Sequence, residues 1–481
     1  MKFVKYILII AVSLMGWSCN DYLDTAPDER QEIKTLQNVE ELVANSYSDA
    51  SYLFLEWMTD NAVALAKNDQ EEWMTQNFMW QPVTANEGQD TPTWFWTRSY
   101  AAIAHANQAL ASIDKVPDTN NAYKKAIKGE ALLSRAYNHF LLANVFCQAY
   151  EESTAASSLG IPYITAPETN LVVSYERGTL KEAYDKVEKD LLEGLSLVSD
   201  EFYSGSGKYH FNKGAAYAFA SRFYLFKGDY ENCIKYSNKL LGEGVVAPVF
   251  VRNMEQVFTG TNSTQIADKF TDPNNVANLL NVRKESFALR AYRGYQSSYD
   301  VMDEVFVNIW GVTDFRDSRW GWGDARAQPK YKERFKFTTA TTGYGYHIQN
   351  ELRTEEVIFN RMEAYVMTNV AGTSENLDKA LADYNVLAAK CYEGSPVLKA
   401  EDITKEYGAY DAANMMKFII AERRKELLRE SIRWFDIKRF KMSITHTSVT
   451  KESSTLEAED LRKAVQIPQG AIARGIQANP R

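Results

Sequence analysis

Apolar residues recur every three or four positions through long tracts of the chain, the period that turns one face of an α-helix toward a core. Such tracts run over residues 36–66, 100–113, 123–149, 180–198, 215–226, 231–241, 355–370, 377–391 and 412–441. Strand-like alternation is scarce, and only 245–251 and 334–338 predict small hairpins. The expected class is mostly α, with minor β-hairpins.

Part of this helical pattern repeats. Tyr217, Ala220, Ser221 and Tyr224 lead through Gly228-Asp229-Tyr230 to Cys233 and Leu240. A helix with small residues at a crossing, a glycine turn and a second such helix describe a tetratricopeptide-type unit, because bulky side chains would hold the two helices apart. Residues 355–370 and 377–391 form a second pair, with Ala364 and Ala380 near the crossing. A third, 130–149 with 180–198, is split by a polar insertion from Glu151 to Gly178.

Composition narrows the function. With 481 residues and 45% hydrophobic content the chain can bury a large core, which excludes disorder. A net charge of -9 without a basic stretch argues against a nucleic-acid partner. Aromatic residues make up 13%, including 10 Trp and 28 Tyr, against only 5 His. Flat amphipathic rings are plentiful and the commonest acid-base residue is scarce, so binding is favoured over catalysis.

Lys2 and Lys5 precede an apolar run over 6–15, followed by Gly16, Trp17, Ser18 and Cys19. The run is too short to cross a bilayer, which needs about 20 residues. It reads as an export signal over 1–18, with Cys19 the lipidated first residue of a mature lipoprotein. Gly16 and Trp17 depart from the usual lipobox, and an ordinary secretory signal with a free cysteine is the alternative. Residues 19–35 form an acidic tether carrying Asp21, Asp24, Asp28 and Glu29. Cys147, Cys233 and Cys391 have neither disulfide nor zinc spacing, and the first two read as buried thiols.

Enzyme signatures are missing. There is no His-Glu-x-x-His, Gly-x-Ser-x-Gly or Gly-x-Gly-x-x-Gly, and Gly205-Ser206-Gly207-Lys208 lacks the hydroxyl and leading glycine of a phosphate loop. No catalytic residue, cofactor or metal site is expected.

Three segments carry a family resemblance. They are Cys19-Asn20-Asp21-Tyr22-Leu23-Asp24 with Pro27; Trp96 to Asn107 with Gly129-Glu130-Ala131, Arg135-Ala136-Tyr137 and Phe140; and Glu422-Arg423-Arg424-Lys425-Glu426-Leu427 with Glu430, Arg433-Trp434, Asp436 and Arg439. Together they resemble the SusD/RagB family of surface nutrient-binding lipoproteins, although Ser431 stands where the family usually has glycine. The resemblance implies a SusD-like fold in which tetratricopeptide-type helix pairs pack against a loop-rich variable half. It also implies an outer-membrane, cell-surface location, and a SusC-like TonB-dependent transporter that the protein caps as a lid and supplies with oligosaccharides. RagB-like members take peptides, and peptide capture is the first rival. A glycoside hydrolase with paired carboxylates is the second. The charged helix around Glu422–Arg439 is expected to serve packing, with pairs at spacings of three and four.

On this reading residues 36–481 form one domain. The repeat scaffold lies mainly in 100–241 and 353–441, and the variable ligand-side segments in 69–96 and 245–347. Sugar rings lie on Trp and Tyr faces, so the useful aromatics are those in polar, loop-like sequence. Trp73, Trp80, Trp94, Trp320, Trp322 and Tyr344 are the candidates, Trp320-Gly321-Trp322-Gly323 most of all because glycine lets a loop expose rings. Trp96 and Trp310 are expected to be buried anchors.

Overall fold

The computed structural model describes residues 33–65, 70–117, 120–168, 173–203, 205–259, 262–289, 294–321 and 323–481. The expected signal, Cys19 and most of the tether lie outside the described residues, as does Trp322. Among the described residues no helix is long and apolar enough to cross a membrane.

The chain is mostly helical. In order come α1 (Leu36–Ala44), α2 (Phe54–Trp57), β1 (Val63–Ala64), α3 (Glu72–Phe78), α4 (Pro92–Ile113), α5 (Asn121–Phe146), α6 (Leu180–Leu197), α7 (Lys213–Lys227) and α8 (Tyr230–Leu241). Then follow α9 (Met254–Phe258), α10 (Ser263–Phe270), β2 (Asn278–Lys284), β3 (Tyr295–Gln296), α11 (Tyr299–Val305), β4 (Arg334–Phe337) and β5 (Gly343–Arg353). The C-terminal third holds α12 (Thr354–Met367), α13 (Glu375–Cys391), α14 (Ala400–Tyr407), α15 (Ala412–Glu426), α16 (Ile432–Arg439), β6 (Ile444–Thr447), β7 (Ser453–Leu456) and α17 (Gln469–Ile472).

The three expected helix pairs are present as neighbours: α5 with α6, α7 with α8, and α12 with α13. Gly228 ends α7 at φ +80, a left-handed position that costs glycine nothing, and Asp229 then caps α8 by accepting from the Asn232 N–H. Ala220, Ala364 and Ala380 are buried at the helix contacts, and Cys147, Cys233 and Cys391 are all buried. Among the described residues, three small antiparallel sheets accompany the helices. β1 pairs with β3, β5 lies between β2 and β4, and β6 pairs with β7. The hairpin expected near 334–338 is therefore observed.

Three expectations need correction. The helix expected over 36–66 stops at Ala44, because Ser48 and Ser51 offer their hydroxyls to the backbone N–H groups of Ala50 and Leu53 in place of helical carbonyls. The helix expected over 412–441 breaks into α15 and α16 at Arg429 and Ser431, with φ +65 and +64. The half-buried Glu56 carboxylate holds the break by accepting from both backbone N–H groups, each at 2.9 Å. The hairpin expected at 245–251 is instead a 3₁₀ turn, Pro248–Phe250, since proline has no N–H to give a ladder.

The interior contains a ladder of charges centred on α15. Arg316 meets Asp314 at 2.8 Å, Glu422 at 2.9 Å and Glu426 at 3.3 Å. Arg353 meets Glu426 at 2.6 Å and Glu430 at 2.9 Å, and Lys330 meets Glu430 at 2.6 Å. Farther on, Arg423 binds Asp436 and Arg439 binds both Glu363 and Asp436. Only Lys425–Glu422 and Arg439–Asp436 run along their own segment at the expected spacing of three. Apart from the local Arg316–Asp314 pair, the others cross to different elements, so the charges of this helix bolt the fold together from inside. Burial alone would raise the Glu422 pKa, but Lys425 and Arg316 override it and hold the carboxyl at about 2.

Candidate functional site

The two aromatic segments meet in space. β1 pairs with β3, Val63 opposite Gln296 and Ala64 opposite Tyr295. The Tyr295 hydroxyl lies 2.7 Å from Thr75 Oγ1 and donates to Gln70 Oε1 at 3.0 Å, and its ring stacks on Phe78 at 4.3 Å.

Against this junction lies a tight hairpin. The Trp320 N–H donates to the Ala327 carbonyl at 3.0 Å, and the Ala327 N–H returns to Trp320 at 2.9 Å. Gly321 is required there, since a Cβ would sit 1.9 Å from the Ala325 oxygen. The Arg326 N–H donates to the Ser297 carbonyl at 2.7 Å, tying the hairpin to the residue after β3. The Arg326 guanidinium lies 3.6 Å from the centre of the Tyr299 ring, itself 45% exposed. Trp320 is half-buried, its indole N–H donating to Ser318 Oγ at 3.2 Å.

Between hairpin and junction is a cavity of about 50 Å³, lined among others by Trp57, Asn61, Tyr295, Gln296, Arg326 and Gln328. Among the described residues, the buried side-chain oxygens of Gln296 and Gln328 have no hydrogen-bond partner. A buried carbonyl oxygen left without a donor costs about 1–3 kcal/mol. Both residues line the cavity, and their oxygens would be satisfied by hydroxyl donors reaching them. Arg326 and Ala327 also line it, and they connect it to the exposed Tyr299 ring and the half-buried Trp320, which flank the cavity without lining it.

Not every expected aromatic belongs here. Trp73 is buried on α3 against Trp57, its N–H spent on Glu71 at 2.8 Å. Trp80 is 2% exposed, stacked 4.3 Å from His446, with its N–H on the Met58 carbonyl at 2.9 Å. Neither offers a face to a ligand. Their polar surroundings mislead because polar groups there serve the interior, as when Asn77 donates to the Phe54 carbonyl. Trp94 and Trp96 are on α4 and not in a loop, since Thr91 caps the helix and Pro92 starts it. Trp94 is half-buried with Arg98 at 5.4 Å, and Trp96 is half-buried. Trp310 is half-buried against Tyr392. Tyr344 stands on β5, half-buried, accepting from Arg283 at 2.6 Å with the guanidinium 4.9 Å over its ring. Like Trp320 and Tyr299 it does not line the cavity, and among the described residues it has, unlike them, no contact to one that does.

Arg326, Gln296 and Gln328 were not singled out by sequence reasoning. The pairing of residue 63 with 296, which creates the cavity, has no local signal.

Two family profiles match the chain. One, described as starch-binding and associating with the outer membrane, covers residues 21–225, and the other, described as the SusD family, covers 330–466. The chain belongs to the SusD family. A relative from Formosa agariphila, SusD-like protein P2, is 22% identical over 392 residues, spanning 72% of this chain and 71% of its own. Among solved structures, a SusD superfamily protein of Bacteroides thetaiotaomicron aligns with a TM-score of 0.68 at 18% identity, over 93% of this chain and 100% of that one. A putative sugar-binding protein of Bacteroides vulgatus gives 0.68 at 20%, over 94% and 99%. A laminarin-binding SusD-like protein gives 0.63 at 16%, over 93% and 99%. At these identities the likeness concerns the SusD fold. The second profile spans α15, the break at Ser431 and α16, so the buried charge ladder, apart from Asp314 and Arg316, falls within the matched region.

Proposed function

We propose that this SusD-family protein is a non-enzymatic glycan receptor that captures oligosaccharides on the shelf around Trp320, Tyr299 and Arg326. The observation that carries the reading is the pair of partnerless amide oxygens, Gln296 and Gln328, in a cavity also lined by Arg326, whose guanidinium stacks on the exposed Tyr299 ring. Sugars supply what that arrangement lacks: C–H faces for the rings and hydroxyl donors for the oxygens. The laminarin-binding neighbour of the same fold supports a glycan ligand. The direct test is calorimetric titration with a panel of polysaccharides, laminarin included. Binding weakened by Trp320→Ala and Tyr299→Ala supports the shelf, and binding unchanged in both rejects it.

Within the same proposal, the protein is lipidated at Cys19, sits at the outer-membrane surface, and closes over a SusC-like TonB-dependent transporter to which it passes its ligand. Family membership supports this arrangement. Incorporation of labelled palmitate that disappears in Cys19→Ala tests the anchor. Co-purification with an outer-membrane transporter from solubilised membranes tests the partner, and isolation alone under mild detergent rejects it.

A further inference from the structure

Along one side of α4, Trp96, Tyr100, Ala104 and Gln108 follow at intervals of four, one above another on the helix surface. They line a cleft of about 920 Å³ that shares no residue with the cavity beside Trp320. Its far wall is the polar insertion between α5 and α6, from Pro162 to Tyr175 on the described residues, and Ala471, Arg474 and Ile476 also line it. Trp96 and Tyr100 are half-buried, their ring centres 4.8 Å apart and tilted by 55°, and Trp96 is braced edge-on by Phe146 at 5.0 Å. Beyond them Ala101 and Ala104 are exposed and leave the space open. On the far wall, half-buried Tyr175 donates to Glu168 Oε1 at 2.6 Å.

That wall is built rigidly. The Pro162 carbonyl accepts from the Tyr100 hydroxyl at 2.8 Å, the Ile164 carbonyl from Asn107 at 3.0 Å, and the Thr165 carbonyl from Arg135 at 3.3 Å. The Ile164 N–H donates to His139 Nε2 at 3.0 Å, and Tyr163 stacks on the same imidazole at 3.8 Å. Pro162 and Pro167 have no N–H to offer. From Pro162 to Thr165, where its main chain is engaged, the wall cannot add an extended peptide as a further strand, the usual way a groove reads backbone. What remains for a ligand is ring faces and side-chain polar groups, in a preformed space of the size typical of small-molecule sites, about 300–1,000 Å³.

We infer that this cleft is a second carbohydrate site. A short oligosaccharide lies with C–H faces on Trp96 and Tyr100 and hydroxyls toward Gln108, Glu168 and Arg474. The inference shares its ligand class with the proposed function but not its location, so the two fail separately.

The experiment is a glycan array probed with the labelled mature chain and three variants, Ala104→Arg, Gln108→Ala and Trp320→Ala, each checked by thermal melting. Ala104 is exposed, so a long side chain there fills the cleft without disturbing the core. The expected result is a set of glycans whose signal falls at least tenfold in Ala104→Arg, falls in Gln108→Ala, and persists in Trp320→Ala. Signals unchanged in both cleft variants overturn the second site while leaving the shelf standing. An array without any bound glycan overturns both, and so does an Ala104-dependent response on a peptide array in place of the glycan array for the cleft.

Discussion

The charge ladder at α15 and the shelf at Trp320 treat buried side-chain oxygens in opposite ways. In the ladder, Asp314, Glu422, Glu426, Glu430 and Asp436 all meet arginine or lysine. On the shelf, the oxygens of Gln296 and Gln328 are left without donors. Compensated charge fixes geometry, and uncompensated polarity beside an opening invites a guest. The difference separates what holds this protein together from what it holds.

The comparison can be broken most forcefully in the ladder. Glu426→Ala removes a carboxylate shared by Arg316 and Arg353, and losing one partner of a buried pair costs about 3–5 kcal/mol. Denaturant unfolding should record a loss of that size, and a loss under about 1 kcal/mol would mean that the ladder is dispensable.

Acid should act on the same residues. Glu422 ionises at about 2 in the fold against an ordinary 4.5, so its contribution is fully present above 4.5 and is lost as pH falls toward 2. The melting temperature is therefore expected to drop between about pH 5 and pH 2, and the slope should be shallower in Glu422→Gln.

The shelf should respond in the other currency. Trp320→Ala is expected to weaken glycan binding about tenfold while costing less stability than loss of a fully buried tryptophan, about 3–5 kcal/mol, since the ring is half-buried where it packs on the core. A large stability loss would instead make Trp320 an anchor like Trp80. The smallest effect belongs to the junction between α15 and α16. Ser431 is held at φ +64, a conformation costing a non-glycine residue about 1–2 kcal/mol, and its buried hydroxyl has no partner among the described residues. Ser431→Gly should raise stability by about 1 kcal/mol, measured by thermal melting.

The helices were legible because their apolar period and caps are local: Thr179 with Glu182 at α6, and Asp229 after Gly228 at α8. The departure from glycine at Ser431 was also legible, and the left-handed backbone there shows why glycine suits the position. The rings were harder to sort. Trp80 and Trp320 both sit in polar sequence, yet one stacks inside on His446 and the other reaches the shelf. That choice depends on residues hundreds of positions away. The cleft along α4 was hidden for the same reason, since Trp96 was expected to be an anchor and its other face borders an insertion with no apolar period.

One such distant contact has a further consequence. Asp60 binds Arg433 across 373 positions, and Glu56 holds the backbone of Ser431 across 375. A chain delivered N-terminus first cannot close these contacts until α16 has arrived. Topologies rich in such remote contacts fold slowly. While α1 can pack on α4 and α5 early, the segment at Glu56 and Asp60 waits for α16, which makes its locking a late event in folding.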